Sequence, residues 1–272
     1  MSDKLEWIKY QGTLIPLVAP HISILPDKRE QKRLLKLYKP FFLRYYSEWD
    51  NGKGEFWFVI KDGFKGLEEL SSKTRNQVRK GLKNCIVKKV SIEEIEQNGY
   101  QVYIKAFEKY DTFLKPMSKD IFQMSLRKKN NYDFFAVYNL NGKIIAYSQN
   151  ELYEDYCNLS ITKFDPEFLK LRPSEALFYE MNRYYLDDCK LKYVCDGARS
   201  LSHDTNIQDF LIDKFKFRKA YCKLNIVYRK DIGLLVKLIY PLRTLLRLFP
   251  ERLTRKIKVL LKHEEIRRSY CE

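Results

Sequence analysis

The sequence contains no CxxC pair, no cysteine spacing of a metal site, no internal repeat and no low-complexity tract. It also lacks any uninterrupted apolar run of about eighteen residues, so no membrane-spanning helix is expected. Its six cysteines (Cys85, Cys157, Cys189, Cys195, Cys222 and Cys271) stand apart, several at apolar strand positions where a reduced thiol behaves as a small hydrophobe. A disulfide framework is therefore not expected in a chain of this size, and a reducing, cytoplasmic setting is. The opening MSDKLEWIKY has neither an apolar core nor a small-residue cleavage site, which argues against a secretory signal. Without a repeat period the chain is not read as a solenoid, and without biased tracts it is not read as disordered.

What is present is an ordinary globular composition with a strong charge bias. The 272 residues are 45% hydrophobic and 32% charged, enough for one large or two small domains with a proper core. Lys and Arg number 51 against 35 Asp and Glu, a formal net charge of +16. The excess is uneven, because residues 229–272 hold twelve basic and five acidic side chains. Such a surface attracts polyanions, whether nucleic acid, anionic lipid or a phosphorylated substrate, and charge alone does not choose among them.

Patterning gives a consistent order of elements. Residues 28–38 read as a basic helix, 21–26 as a short strand, and 56–60 as an aromatic strand after the turn Asn51–Gly52–Lys53–Gly54. Residues 66–83 show helical spacing through Leu67, Leu70, Thr74 and Val78. From Cys85 onward the order is strand (85–90), helices near 100–110 and 118–129, then three antiparallel strands (134–138, 143–153 and 156–162). The turn Asn139–Leu140–Asn141–Gly142 separates the first two of these. A helix over 174–189, a strand at 192–196, a helix over 205–214 and one alternating strand over 220–228 complete the unit. After Arg229 the segment 232–249 is mostly apolar, with Lys237, Arg243 and Arg247 on one side of a helical wheel. Pro241 is read as the start of a second helix there, and a basic helix follows Pro250.

This order resembles that of the GNAT-type acyltransferases, and local motifs narrow the resemblance. Arg75–Asn76–Gln77–Val78–Arg79–Lys80, followed by a strand at Ile86–Val87, looks like the R-x-x-I-R-K-A helix of the Fem-type aminoacyltransferases. Val194–Cys195–Asp196–Gly197 resembles that group's strand ending in Asp-Gly. Asn206 to Phe217 (NIQDFLIDKFKF) resembles its gl-x-x-F-K-x-x-F-G-F helix, with Lys214 and Phe217 in matching places. The resemblance covers roughly residues 70–230. It implies an α/β (α+β) fold, a GNAT-like mixed central sheet flanked by helices. The corresponding organisation is an N-terminal extension (1–84), a GNAT-like domain (85–229) and a basic helical tail (230–272).

The activity the resemblance implies is transfer of an acyl or aminoacyl group to an amine, the acceptors being cell-envelope or surface-glycan precursors. Acyl-CoA or aminoacyl-tRNA would be the donor substrate, with no tightly bound cofactor. In the family, two neighbouring parallel strands splay apart to receive the donor arm, here 156–162 and 192–196. The chain departs from the CoA-using members at Lys170–Leu171–Arg172–Pro173–Ser174–Glu175. Their Q/R-x-x-G-x-G/A loop offers free N–H groups to pyrophosphate, whereas this segment lacks the glycines and places an anion in the first helical turn. Lys170, Arg172 and Ser174 are its candidate phosphate contacts, and tRNA is the polyanionic donor easier to reconcile with the charge. A CoA-dependent N-acetyltransferase and a non-catalytic scaffold binding nucleic acid or membrane remain alternatives.

Candidate catalytic residues follow from position and chemistry. Asp196 ends a strand at the cleft and is read either as a base or as a loop cap. His203 offers a pKa near neutrality for accepting the amine proton, or merely precedes the helix at Thr205. Tyr147, Gln149 and Glu151 alternate along one face of the central strand, lining the acceptor pocket or forming ordinary sheet surface. Arg75, Arg79 and Lys80, with Arg199 and Lys214, are candidate substrate contacts, against the plain reading of a solvated basic face. No metal site is expected. The 232–249 segment either packs on the domain, the reading preferred here, or lies on a membrane surface with its cations at headgroup level. Oligomeric state is not legible.

Overall fold

The computed structural model describes residues 5–110, 115–201, 206–248 and 251–270. In chain order the elements are β1 (Trp7–Tyr10), β2 (Thr13–Pro16), α1 (Lys28–Tyr38), β3 (Phe42–Ser47) and β4 (Trp57–Lys61). Next come α2 (Ser72–Asn84), β5 (Cys85–Val90), α3 (Ile92–Phe107), α4 (Lys119–Arg127), β6 (Tyr132–Asn139) and β7 (Ile144–Leu152). They are followed by β8 (Tyr156–Phe164), α5 (Pro173–Asn182), β9 (Tyr193–Ala198) and α6 (Asn206–Phe215). The last are β10 (Arg218–Tyr221), β11 (Lys223–Tyr228), α7 (Lys230–Ile239) and α8 (Glu251–Arg268).

Two compact units result. The first comprises Met1–Phe58, Ala198–Thr205 and Lys219–Glu272, the second Val59–Gly197 and Asn206–Arg218. These limits differ from the sequence-based breaks at 84/85 and 229/230, because the first unit is assembled from both ends of the chain.

The first unit is built on a sheet in the order β1-β2-β3-β11. β3 and β11 pair antiparallel from Phe42↔Tyr228 to Ser47↔Lys223, while β2 runs parallel to β3. Trp7, Leu14, Leu34, Leu43 and Tyr45 form its buried cluster. The sheet is a correction to the sequence reading in two respects. The run 220–228 is not one strand but two, and 21–26 forms no strand.

The second unit carries strands in the order β4-β9-β8-β7-β6-β5. β5 through β8 pair antiparallel, as the hairpin chemistry at 139–142 dictates, and β9 joins β8 in parallel. β7 is buried from Ile144 to Asn150, so its two faces are both covered. On one face Tyr147 packs with Ile95 and Val102 of α3 and Phe122 and Leu126 of α4. On the other, Ser148 and Asn150 meet Met181 and Tyr185 on α5 and the π-helical turn Arg183–Asp188 that prolongs it. α6 lies against α5 through Phe178, Phe210 and Phe215.

The helix expected over 66–83 is interrupted. A 3₁₀ turn occupies Gly66–Glu69, Leu70 is extended, and Ser71 caps α2 by accepting the Thr74 N–H. At Gly81 α2 passes so close to the start of α5 that a Cβ would stand 2.6 Å from the Arg172 carbonyl oxygen.

Candidate active site

β8 and β9 are hydrogen-bonded neighbours over three residue pairs only, Tyr156↔Tyr193, Cys157↔Val194 and Asn158↔Cys195. β8 then continues to Phe164 paired with β7 alone. The cause of the parting is visible in the register. Asn150 faces Leu159 and Gln149 faces Ile161, so the exposed Ser160 is an extra residue. A bulge of this kind bends its strand and strengthens its twist, carrying β8 away from β9. The closed end of the fork is held by stacked rings, Tyr153 on Tyr156 at 4.4 Å and Tyr156 on Tyr193 at 5.0 Å. Beyond Asn158 the β8 peptide groups that turn away from β7 have no strand among the described residues to pair with. They can hold an extended acyl arm.

Asp196 is the first β9 residue past the last pair. Its backbone is fixed by Gln208 of α6, whose Nε2 donates to the Asp196 carbonyl at 3.4 Å, and Gly197 turns the chain at φ 82°. Burial, with no cation among the described residues to offset it, pushes the Asp196 carboxyl up to about 7. A carboxylate with that affinity is matched to accepting a proton near neutrality. Glu151 lies in the row Glu151–Asn158–Cys195 at the mouth of the fork, half-buried. Strand alternation sets Asp196 on the opposite side of the sheet from that row, so the two carboxylates do not converge.

The start of α5 is occupied from within. Glu175 is 2% exposed and accepts from Lys214 Nζ at 2.7 Å and from the Ser174 hydroxyl at 2.7 Å, with Arg172 Nη1 at 3.4 Å. Burial alone would raise its pKa, but the bonds from Lys214, Ser174 and its own N–H hold it below the usual carboxylate range. Lys214 also donates to Gln77 Oε1 at 2.9 Å. Arg172, Ser174 and Lys214, all candidates for binding an external anion, are thus gathered around an internal one. Pro173 withholds its N–H, and the Glu175 carboxylate sits where a helix N-terminus would bind phosphate. The segment does not fit a pyrophosphate. Lys170 is exposed ahead of it, without a partner among the described residues.

Several other candidates have structural duties. Tyr147 is 1% exposed and sealed in the core, where burial drives its hydroxyl pKa far up, and Gln149 is 4% exposed on the same face. Neither is placed to line an open acceptor pocket, the first of the two sequence readings, because α3 and α4 cover this face. Arg75 donates to the carbonyls of Leu67, Glu68 and Leu70, tying down the 3₁₀ turn instead of facing a substrate. Arg79 and Lys80 are exposed on α2 and unpaired among the described residues. Arg199 belongs to the first unit, where it lies over the Trp57 ring at 4.0 Å and meets Glu55. His203 lies outside the described residues.

The sequence reading missed two features. Lys219 covers the Trp57 ring at 4.2 Å, so two cations cover that ring, and only the clustered basic and aromatic composition hinted at it. Inside the second unit Asn150 Nδ2 donates to Ser148 Oγ at 3.1 Å and Tyr185 Oη at 3.1 Å, and the buried Asn182 amide of α5 has no hydrogen-bond partner among the described residues. No spacing signal marks that cluster. Among the described residues no group of three His, Cys, Asp or Glu side chains is gathered as metal ligands would be.

A mixed sheet whose parallel pair forks at a bulge, with α3 and α4 on one face and α5 and α6 on the other, is the GNAT-like α/β fold. Among solved structures the chain is similar to FemX, with TM-score 0.53 and 11% identity over 79% of this chain and 81% of that one. It is equally similar to the C-terminal domain of a protein described as a lysylphosphatidylglycerol synthetase from Agrobacterium fabrum, with TM-score 0.53 and 11% identity over 85% and 82%. L-PGS from Bacillus licheniformis gives 0.52 and 13% over 89% and 86%. No family model and no curated relative matches the sequence. At these identities the likeness is one of fold.

Proposed function

We propose that this protein transfers an aminoacyl group from a tRNA ester to an amine, the acceptor belonging to a cell-envelope or surface-glycan precursor. The observation that carries the reading is the fork between β8 and β9 with Asp196 at its origin. The donor's acyl arm lies along the free edge of β8, whose N–H groups hydrogen-bond its carbonyl oxygen. Asp196 accepts a proton from the acceptor ammonium. The freed amine adds to the carbonyl carbon, and the developing oxyanion is stabilised by the same N–H groups. The bond to the ribose oxygen then breaks as the added nitrogen gives up its extra proton, which the leaving oxygen takes up. The products are an amide and deacylated tRNA, and most of the rate comes from holding the two reactants together.

An aminoacyl-tRNA donor is favoured over acyl-CoA by the filled α5 N-terminus. It is also favoured by the net charge of +16 and by Arg79 and Lys80, which stand free on α2 for phosphate contacts. The test is transfer from bulk aminoacylated tRNA to an amine acceptor, run beside acetyl-CoA. The Asp196→Asn variant is expected to lose about a hundredfold or more in rate while keeping its tRNA affinity. A variant as fast as the wild type would remove Asp196 from the chemistry, and transfer from acetyl-CoA alone would overturn the choice of donor.

A further inference from the structure

The C-terminal helices of the first unit leave an apolar stripe uncovered. Leu234, Leu238, Leu242 and Leu245 follow one another at helical spacing through α7 and the 3₁₀ turns Tyr240–Leu242 and Leu245–Leu248. They are 61%, 64%, 54% and 51% exposed, and the adjacent Leu235 is 41% exposed. The opposite side of α7 is the one that packs, with Val236 only 3% exposed. The packed-helix reading preferred from the sequence therefore accounts for one side of the helix and leaves the leucines unexplained. Lys230 and Lys237 border the stripe, exposed and without an ion pair among the described residues. Arg243 is exposed at the same border and lies over the Tyr240 ring at 4.5 Å.

We infer that this stripe is a docking surface for an anionic phospholipid bilayer, with α7 lying in the plane of the interface. Leucines entering the acyl boundary while bordering cations sit among headgroup phosphates is the arrangement that holds an amphipathic helix on a membrane. Charge selects this occupant over a second copy of the chain. Self-association through the stripe would bring Lys230, Lys237 and Arg243 against their own counterparts in a molecule already at +16, whereas an anionic surface neutralises them. No helix among the described residues is long and apolar enough to cross a membrane, so the contact is peripheral. The inference does not depend on the transfer chemistry.

The experiment is flotation of the full chain with vesicles of phosphatidylglycerol and phosphatidylcholine, against phosphatidylcholine alone, at low salt and at about 0.5 M salt. Binding is expected only to the anionic vesicles, weakening with salt. The triple change Leu234→Ser, Leu238→Ser and Leu242→Ser is expected to lower partitioning at least about tenfold at unchanged thermal stability, since all three side chains are exposed. Equal partitioning of wild type and variant, or no binding of the wild type to anionic vesicles, would overturn the inference. So would a dimer in light scattering that the same triple change dissolves, which would assign the stripe to a second copy.

Discussion

Two carboxylates of the second unit, Asp196 and Glu175, respond to burial in opposite ways, and their partners decide the outcome. Asp196 has no cation among the described residues to offset desolvation and is pushed up to about 7, so its basic form accumulates as pH rises through that value. Transfer is therefore expected to increase across pH 6–8 in the wild type, and a pH–rate profile of Asp196→Asn should lack that limb. Glu175 is more deeply enclosed yet held ionised by Lys214 and Ser174. Its folded pKa lies below the unfolded one, so its contribution to stability is present above the usual carboxylate range and is lost as pH falls through the folded value. Lys214→Met leaves a buried carboxylate uncompensated, and denaturant titration at neutral pH is expected to register a loss of about 3 kcal/mol. In the variant, burial raises the Glu175 pKa, so the deficit should shrink on acidification. A deficit independent of pH would show that the lysine acts through packing alone.

At the scale of elements, the approach of α2 to the start of α5 sets the shape of the Arg172–Glu175 turn. A methyl at Gly81 would meet the Arg172 carbonyl oxygen at 2.6 Å, the Ala176 nitrogen at 3.1 Å and the Ala176 Cβ at 3.2 Å. Two of these are backbone atoms that cannot swing aside. Gly81→Ala is therefore expected to cost about 2 kcal/mol in chemical denaturation, and a neutral substitution would mean that the helices separate freely. Elements with a strong local period were legible in the sequence. β6, β7, β8 and β9 fall close to their expected spans, as does α5 with its π-helical extension, because turn residues and apolar runs bound them.

The failures have physical causes. Ala220, Cys222 and Leu224 are all buried, so the period of two runs unbroken through the point where β10 ends and β11 begins. β1 and β2 have four residues each, too short to show alternation. The break before α2 did carry a signal, since Ser71 ahead of a helical run is N-cap chemistry. Of the candidate site, the parting of two neighbouring parallel strands was legible through the family resemblance, with Asp196 near the end of the second. The burial of Tyr147 and Gln149 was not, because it depends on which helices cover that face of β7. Nor was the convergence of Arg172 and Lys214 on Glu175, which joins residues 39 apart in sequence.

Across the whole molecule the charge of +16 and the forked sheet serve compatible ends. Under the proposed function a basic surface would gather a polyanionic donor by long-range attraction that weakens with salt, and the fork would supply the local geometry that charge lacks. The likeness to FemX and to L-PGS is one of overall fold.

The most direct measurement is amide hydrogen exchange of the intact protein with and without a non-hydrolysable aminoacyl-adenosine analogue. If the gap opened by the Ser160 bulge receives the acyl arm, exchange should slow within Leu159–Phe164 and stay unchanged in β6. Saturating analogue that leaves Leu159–Phe164 exchanging at its free rate would contradict the assignment of this gap as the donor site.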